Sequence, residues 1–359
     1  MDNGNGITDQ RIMRYDPLVS PYQLKQDIPS SDLAKETVRL GRQGIGRILN
    51  RDDPRKLIIV GPCSIHDPES AMEYASRNKE LADVVSDKLL IVQRMYFEKP
   101  RTSLGWQGLI MDPDMNETGD LNKGFRLSRE LLSYVAELGL PAATEYLDPI
   151  TPQFNGDFIS YAVIGARTAY SQPHRNLASG LSMPVGFKND THGDISVAVN
   201  GALTSRERHS FPGMDDNLKV SIVRTTGNSY THIILRGGGG TTNYDEGNVR
   251  YAQSLLEKAG LPPIVVIDCS HDNTLNDQGV KEYERQEIAF EDVTKQIKEG
   301  NEGIIGIMFE SHINAGSQSI KSDLTGFDPS TLKYGLSVTD GCLDLETTRL
   351  LILDFYKTL

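Results

Sequence analysis

Polar and apolar positions fall into repeating blocks along this chain. From Leu57 onward a short apolar run ends in a polar or charged residue and passes through a turn into a stretch of helical period, and this unit recurs eight times. The runs are 57–64, 89–92, 140–147, 161–167, 183–188, 232–237, 264–271 and 303–310. Their shortness and β-branched content are those of strands buried on both faces, the form taken by parallel sheets under helices. Local signals support the helices between them. Asp67 suits a helix N-cap and Pro68 the first helical position, and Thr151-Pro152 opens a later helix in the same way. Leu127, Leu131, Leu132, Val135 and Leu138 form a stripe at helical spacing that stops at Gly139.

Two segments lie outside this repeat. Residues 1–50 read as an arm plus one helix, with Leu33, Val38, Leu40, Ile45, Ile48 and Leu49 interleaved with basic side chains. Such an extension either closes the bottom of a barrel or reaches a partner subunit. Residues 189–231 are too long for a bare loop and helix. Within them 218–225 alternates like an exposed strand and meets the turn pair Gly227-Asn228, so a β-hairpin is predicted between the fifth and sixth repeats.

Eight βα units predict an α/β chain of the (β/α)8 barrel type over residues 51–359. The rival is a two-domain doubly wound protein, which would confine its chemistry to one switch point and carry a Gly-rich phosphate fingerprint after its first strand. Gly237-Gly-Gly-Gly240 follows the sixth strand instead and lacks that spacing, so it reads as a flexible loop. The barrel is favoured because every run ends in a functional side chain.

Composition narrows the function. At 38% hydrophobic and 24% charged the chain is ordinary for a globular protein, and its net charge of −12 opposes a nucleic-acid or membrane surface. The N-terminal residues show no leader pattern, and no apolar run approaches the roughly 18 residues of a membrane span. A cytosolic protein is expected. Three cysteines, an odd number without framework spacing, are expected to be reduced.

In an acidic chain, basic clusters call for a local cause. Arg94, Lys99, Arg167, Lys188 and Arg236 follow successive strands and would ring one face of a barrel. A strongly anionic small molecule would bridge them; ion pairs with neighbouring Asp and Glu are the alternative. Cys63, His271 and Glu310 end the first, seventh and eighth strands, and Asp340 follows the last. This mixed soft and hard set suits Mn²⁺, Fe²⁺, Co²⁺ or Zn²⁺, against a buried thiol and a satisfied histidine.

Seven motifs then carry a resemblance: Gly61-Pro-Cys-Ser-Ile-His-Asp-Pro68, Glu98-Lys-Pro-Arg-Thr102, Gly165-Ala-Arg-Thr168, Ala178-Ser-Gly-Leu-Ser182, Pro184-Val-Gly-Phe-Lys-Asn189, Leu235-Arg-Gly-Gly238 and Asp268-Cys-Ser-His271. Together they resemble the type I 3-deoxy-D-arabino-heptulosonate 7-phosphate (DAHP) synthases, from about residue 10 to the end. That resemblance implies a metal-dependent (β/α)8 enzyme condensing phosphoenolpyruvate with erythrose 4-phosphate, the entry step to the aromatic amino acids. It implies metal ligands Cys63, His271, Glu310 and Asp340. Phosphoenolpyruvate would be held by Arg94, Lys99, Arg167, Lys188 and Arg236, and the phosphate of erythrose 4-phosphate by Arg101 and Thr102. Lys99, Glu145 and His271 are the candidates for catalytic proton handling or for positioning water. It also implies a pocket for an aromatic amino acid at Pro149, Gln153, Ser182 and Gly213, most like the tyrosine-sensitive members, and a homodimer or homotetramer.

The chain departs from the family pattern in three places. Arg167-Thr-Ala-Tyr-Ser171 stands for Arg-Thr-Thr-Glu-Ser, Lys188-Asn-Asp-Thr-His-Gly193 for Lys-Asn-Gly-Thr-Asp-Gly, and Gly105-Trp-Gln-Gly108 for Gly-Trp-Lys-Gly. No implied ligand is lost. The changes leave room for two other readings, an enzyme of secondary metabolism using an altered aldose phosphate and a non-catalytic homologue that binds an aromatic metabolite.

Overall fold

A computed structural model describes residues 8–359. The parallel strands are β1 (Lys56–Gly61), β2 (Leu89–Arg94), β3 (Ala142–Glu145), β4 (Ile159–Ile164) and β5 (Val185–Lys188). An antiparallel pair, β6 (Ser210–Met214) and β7 (Val220–Arg224), interrupts the series before β8 (Thr231–Leu235), β9 (Val265–Asp268), β10 (Ile304–His312) and the short β11 (Leu343–Asp344). Strands β1 to β5 and β8 to β10 pair in chain order, and β1 pairs with β10, so the sheet closes into an eight-stranded barrel. The doubly wound alternative is excluded by that closure.

Ten helices accompany the described strands: α1 (Pro21–Asp27), α2 (Asp32–Leu49), α3 (Pro68–Val85), α4 (Leu121–Glu137), α5 (Thr151–Asn155), α6 (Gln172–Ala178), α7 (Ile195–Thr204), α8 (Glu246–Lys258), α9 (Gln286–Lys298) and α10 (Leu345–Thr358). Asp67 caps α3 by accepting from the N–H groups of Glu69 and Ser70, with Pro68 next. Alternation along the strands separates two cores. Ile58, Val60 and Ile91 pack outward with the helices, whereas Leu57, Ile59, Val92, Tyr161, Val163, Val266 and Met308 fill the barrel.

The N-terminal segment carries two helices where the sequence suggested one, because Pro29 and Ser30 break the run and Ser31 caps a second start. Residues 1–7 of the arm lie outside the described residues. Ile45, Ile48 and Leu49 of α2 join the barrel's inner cluster, so this helix closes the bottom. The hairpin is present between β5 and β8, but it reverses at residues 215–219, where the Asp215 carboxylate accepts from Asn217 and Lys219 N–H. Gly227, at φ +87, and Asn228 turn the chain into β8 instead; the side-chain amide of Asn228 donates to Met183 O at 3.0 Å. The hairpin tip is held by α1, with Tyr22 N–H donating to Asp216 O at 2.8 Å and Lys25 pairing with the Asp216 carboxylate at 2.9 Å.

Candidate active site

Register brings the acidic and thiol groups together. Gly61 lies opposite Glu310 across the β1–β10 closure, so Cys63, two residues beyond, faces the Glu310 end of the neighbouring strand. Cys63, Glu310 and Asp340 place their ligand atoms within 4.8 Å of one another. His271 stands beside this group without joining it, its Nε2 3.8 Å from Glu310 Oε1. Its backbone sits at φ +63, a left-handed conformation costing about 1–2 kcal/mol for a residue with a Cβ. Such strain at a strand end is where functional geometry outweighs local preference.

The donor set fits a divalent transition metal. A thiol, two carboxylates and an imidazole are ligands of the intermediate kind, and the cluster already attracts positive charge. The Lys99 ammonium lies 2.7 Å from Cys63 Sγ and 3.2 Å from Asp340 Oδ2. Burial opposes the charge on Lys99, but Cys63, Asp340 and Glu310 outweigh it and raise its pKa. Burial and the nearby Glu310 push the Cys63 thiol up to about 12. Lys99 in turn holds Asp340 well below the usual carboxylate range. Burial and Lys188 lower the His271 pKa, which keeps the imidazole neutral as metal ligation requires.

Asp268 organises the layer beneath. Fully buried at the end of β9, it lies 2.8 Å from Lys188 Nζ and 3.0 Å from His271 Nδ1, and it accepts from the Ser270 hydroxyl. Burial would raise its pKa, but Lys188 and His271 drive it well down, so it stays ionised. A carboxylate behind a histidine fixes the ring's orientation and tautomer. Asp268 stands in the Asp268-Cys-Ser-His271 motif, and its place as the last residue of a strand is the sequence signal for this role. Gln286 braces Glu310 by exchanging hydrogen bonds with that residue's backbone.

The five cations stand at or after strand ends on this face, and four of them, all but Arg167, meet an acidic side chain. Arg94 is buried against Glu310 at 2.8 Å and stacks on Tyr96, while Lys188 pairs with Asp268 and Arg236 approaches Asp272 at 3.7 Å. Of the two readings, a bridging anion or ion pairs with neighbouring acids, the second is met in part: acidic residues at the same strand ends supply some of the compensation. One donor stays open. Arg236 Nε is buried without a hydrogen-bond partner among the described residues, an arrangement that favours an incoming anion. Arg167 is exposed and reaches Thr102 Oγ1 at 3.4 Å.

Arg101 and Lys99 line a cavity of about 750 Å³ that also takes in Glu98, Asp112, Asp148 and Pro149. Glu145 ends β3 and is buried. Gly165 makes room for it, since a Cβ there would overlap the Glu145 carboxylate. The four effector candidates are spread over separate elements. Pro149 is on the cavity rim, Gln153 in α5, Ser182 in the turn before β5 and Gly213 in β6.

Comparison with known proteins agrees with this geometry. The DAHP synthetase I family model matches residues 27–352. The chain is 45% identical over 357 residues to the Tyr-sensitive phospho-2-dehydro-3-deoxyheptonate aldolase of Salmonella typhimurium, covering 99% of this chain and 96% of that one. It is also 45% identical over 344 residues to the Phe-sensitive enzyme of Escherichia coli, covering 96% and 95%. The solved structure of phospho-2-dehydro-3-deoxyheptonate aldolase from Francisella tularensis superposes with a TM-score of 0.91 at 41% identity, over 97% of this chain and 98% of that one. A closed barrel whose strand ends carry this thiol, carboxylate and guanidinium set, matched along nearly its whole length, belongs to the DAHP synthetase I family.

Proposed function

We propose that this chain condenses phosphoenolpyruvate with D-erythrose 4-phosphate, giving 3-deoxy-D-arabino-heptulosonate 7-phosphate and inorganic phosphate. The observation that carries the reading is the buried cation face, with its open Arg236 Nε donor, set beside the Cys63, Glu310 and Asp340 cluster. Arg94, Lys99, Arg167, Lys188 and Arg236 hold the carboxylate and phosphate of phosphoenolpyruvate. Arg101, which lines the large cavity, and its neighbour Thr102 take the phosphate of the aldose.

Cys63, His271, Glu310 and Asp340 are the residues that would hold the divalent metal, Mn²⁺, Fe²⁺, Co²⁺ or Zn²⁺. When bound, the metal supplies Lewis acidity toward the aldehyde. A carbon–carbon bond forms between C3 of phosphoenolpyruvate and the aldehyde carbon, whose oxygen takes a proton. Water adds at C2, loses a proton, and phosphate departs. Lys99, kept protonated at Nζ by its acidic neighbours, is placed to donate, and Glu145 to orient the water and accept its proton.

Retention of the complete ligand and cation set favours an enzyme over a homologue that only binds. The chain is read as feedback-inhibited by tyrosine at Pro149, Gln153, Ser182 and Gly213. The relatives divide between Tyr-sensitive and Phe-sensitive at the same identity, so the argument rests on Gly213, which leaves room for a phenolic hydroxyl. A homodimer or homotetramer is read from apolar side chains left open on β7, where Val220 and Ile222 are exposed. No helix among the described residues is long and apolar enough to cross a membrane, in keeping with a cytosolic site of action.

The deciding measurement is phosphate release from phosphoenolpyruvate. It should require erythrose 4-phosphate, stop with a chelator, and return with divalent metal. Full rate in chelator would remove the metal, and a faster rate with another four- or five-carbon aldose phosphate would favour the altered substrate.

A further inference from the structure

Two departures from the family pattern, remote in sequence, meet in space. Tyr170, in the turn after β4, donates its hydroxyl to Asp190 Oδ2 at 3.2 Å. Asp190, in the loop after β5, is buried, and its other oxygen accepts from the N–H groups of His192 at 3.0 Å and Asp194 at 2.8 Å. That loop packs against the glycine run after β8. Gly239 N–H donates to Thr191 O, and a Cβ on Gly238 would stand 2.5 Å from Gly193 N. The Asp190 carboxylate thus joins the loops that follow Arg167 and Lys188, and the backbone of its own loop at Thr191 and Gly193 carries the contact on to the loop that follows Arg236.

We propose that Tyr170 and Asp190 are a positioning pair that fixes the spacing of Arg167 against Lys188 and Arg236, and thereby sets affinity for the anionic enol phosphate without entering the chemical step. The physical reason is satisfaction of a buried acceptor. Without the Tyr170 hydroxyl, Asp190 Oδ2 has no other hydrogen-bond donor among the described residues and must draw in water or shift its loop. Arg167 and Tyr170 are the exposed residues of their turn, whose Ala169 is buried and held through its carbonyl by Arg175, and the Tyr170 hydroxyl is its hydrogen bond across to the Asp190 loop. A glycine at 190 could not use a hydroxyl at 170, and a glutamate at 170 would face Asp190 as a like charge.

The inference rests on the reading that these cations bind phosphoenolpyruvate, and the test separates the two. Steady-state kinetics would be measured on Tyr170→Phe, Asp190→Asn, their double variant, Tyr170→Glu, Tyr170→Glu with Asp190→Gly, and Arg167→Ala, with thermal midpoints alongside. Tyr170→Phe should raise KM for phosphoenolpyruvate about fivefold, with kcat within about twofold and KM for the aldose phosphate unmoved. The Phe and Asn changes should not multiply in the double variant, and Asp190→Gly should recover part of the affinity lost by Tyr170→Glu. Unchanged KM in both single variants, or fully multiplicative effects, would overturn the pair while Arg167→Ala still raised KM. If Arg167→Ala also left KM unchanged, the binding reading and the pair would fall together.

Discussion

Cys63 shows how little of a site's chemistry a residue type conveys on its own. Its thiol, pushed up to about 12 by burial, is protonated at neutral pH until a metal displaces the proton. Metal affinity should therefore rise with pH, and equilibrium titration with Mn²⁺ or Zn²⁺ across pH 6 to 9 measures it directly (about tenfold per unit at most for one proton). Cys63→Ala should retain substoichiometric metal by elemental analysis and lose turnover by more than about a hundredfold; full activity with no retained metal would reject the ligand assignment. Gly165 makes a second test, because its missing side chain is what admits the Glu145 carboxylate. Gly165→Ala should displace Glu145, destabilise the fold by about 1–3 kcal/mol and cut kcat while leaving metal content intact. Both residues were visible as motif members. The close approach of Gly165 to the Glu145 carboxylate is set by the pairing of neighbouring strands and has no signal in the sequence.

Among the elements, the hairpin and α1 behave as one unit, tied by the Tyr22 and Lys25 contacts to Asp216. Gly213 sits in β6 opposite Ser221, and a Cβ on it would lie 2.6 Å from Val223 Cγ2. Gly213→Ser therefore pushes on β7 as well as filling space. It should weaken tyrosine inhibition by about tenfold and shift preference toward phenylalanine, read from rate against each aromatic amino acid. Insensitivity of the unaltered enzyme to all three would dispose of the effector reading. The strands were legible because their apolar runs are nearly unbroken. The hairpin's reversal was misplaced because Asp215 builds a turn from its own carboxylate, a weaker pattern than the Gly227-Asn228 pair that catches the eye.

The molecule as a whole carries an acid-labile point in its barrel. His232 on β8 is fully buried, its Nε2 accepting from the Tyr161 hydroxyl at 2.7 Å, and burial lowers its pKa from 6.5 to about 4. The unfolded chain then binds this proton more readily than the folded one between those values. Stability from this group is present above pH 6.5 and lost as pH falls toward 4, by up to about 3 kcal/mol. Thermal unfolding followed from pH 7 to 4 should show that decline, and His232→Gln, which keeps an acceptor for Tyr161 but cannot titrate, should flatten it. An unchanged slope in the variant would assign acid sensitivity to other groups.

Period, turn chemistry and the residue closing each run are local properties, so the eight strands, the inserted hairpin and the side chains at the strand ends could be read along the chain. Closure makes strand ends neighbours, and this is why Cys63 and Glu310, from the first and last strands, can be grouped from the sequence and lie together in the fold. Side-chain partnership across strands depends instead on stagger and on which oxygen each cation meets first. The Lys188–Asp268 and Arg94–Glu310 pairs, the left-handed turn at His271 and the Tyr170–Asp190 bond are decided there, by three-dimensional packing that no spacing in the sequence encodes.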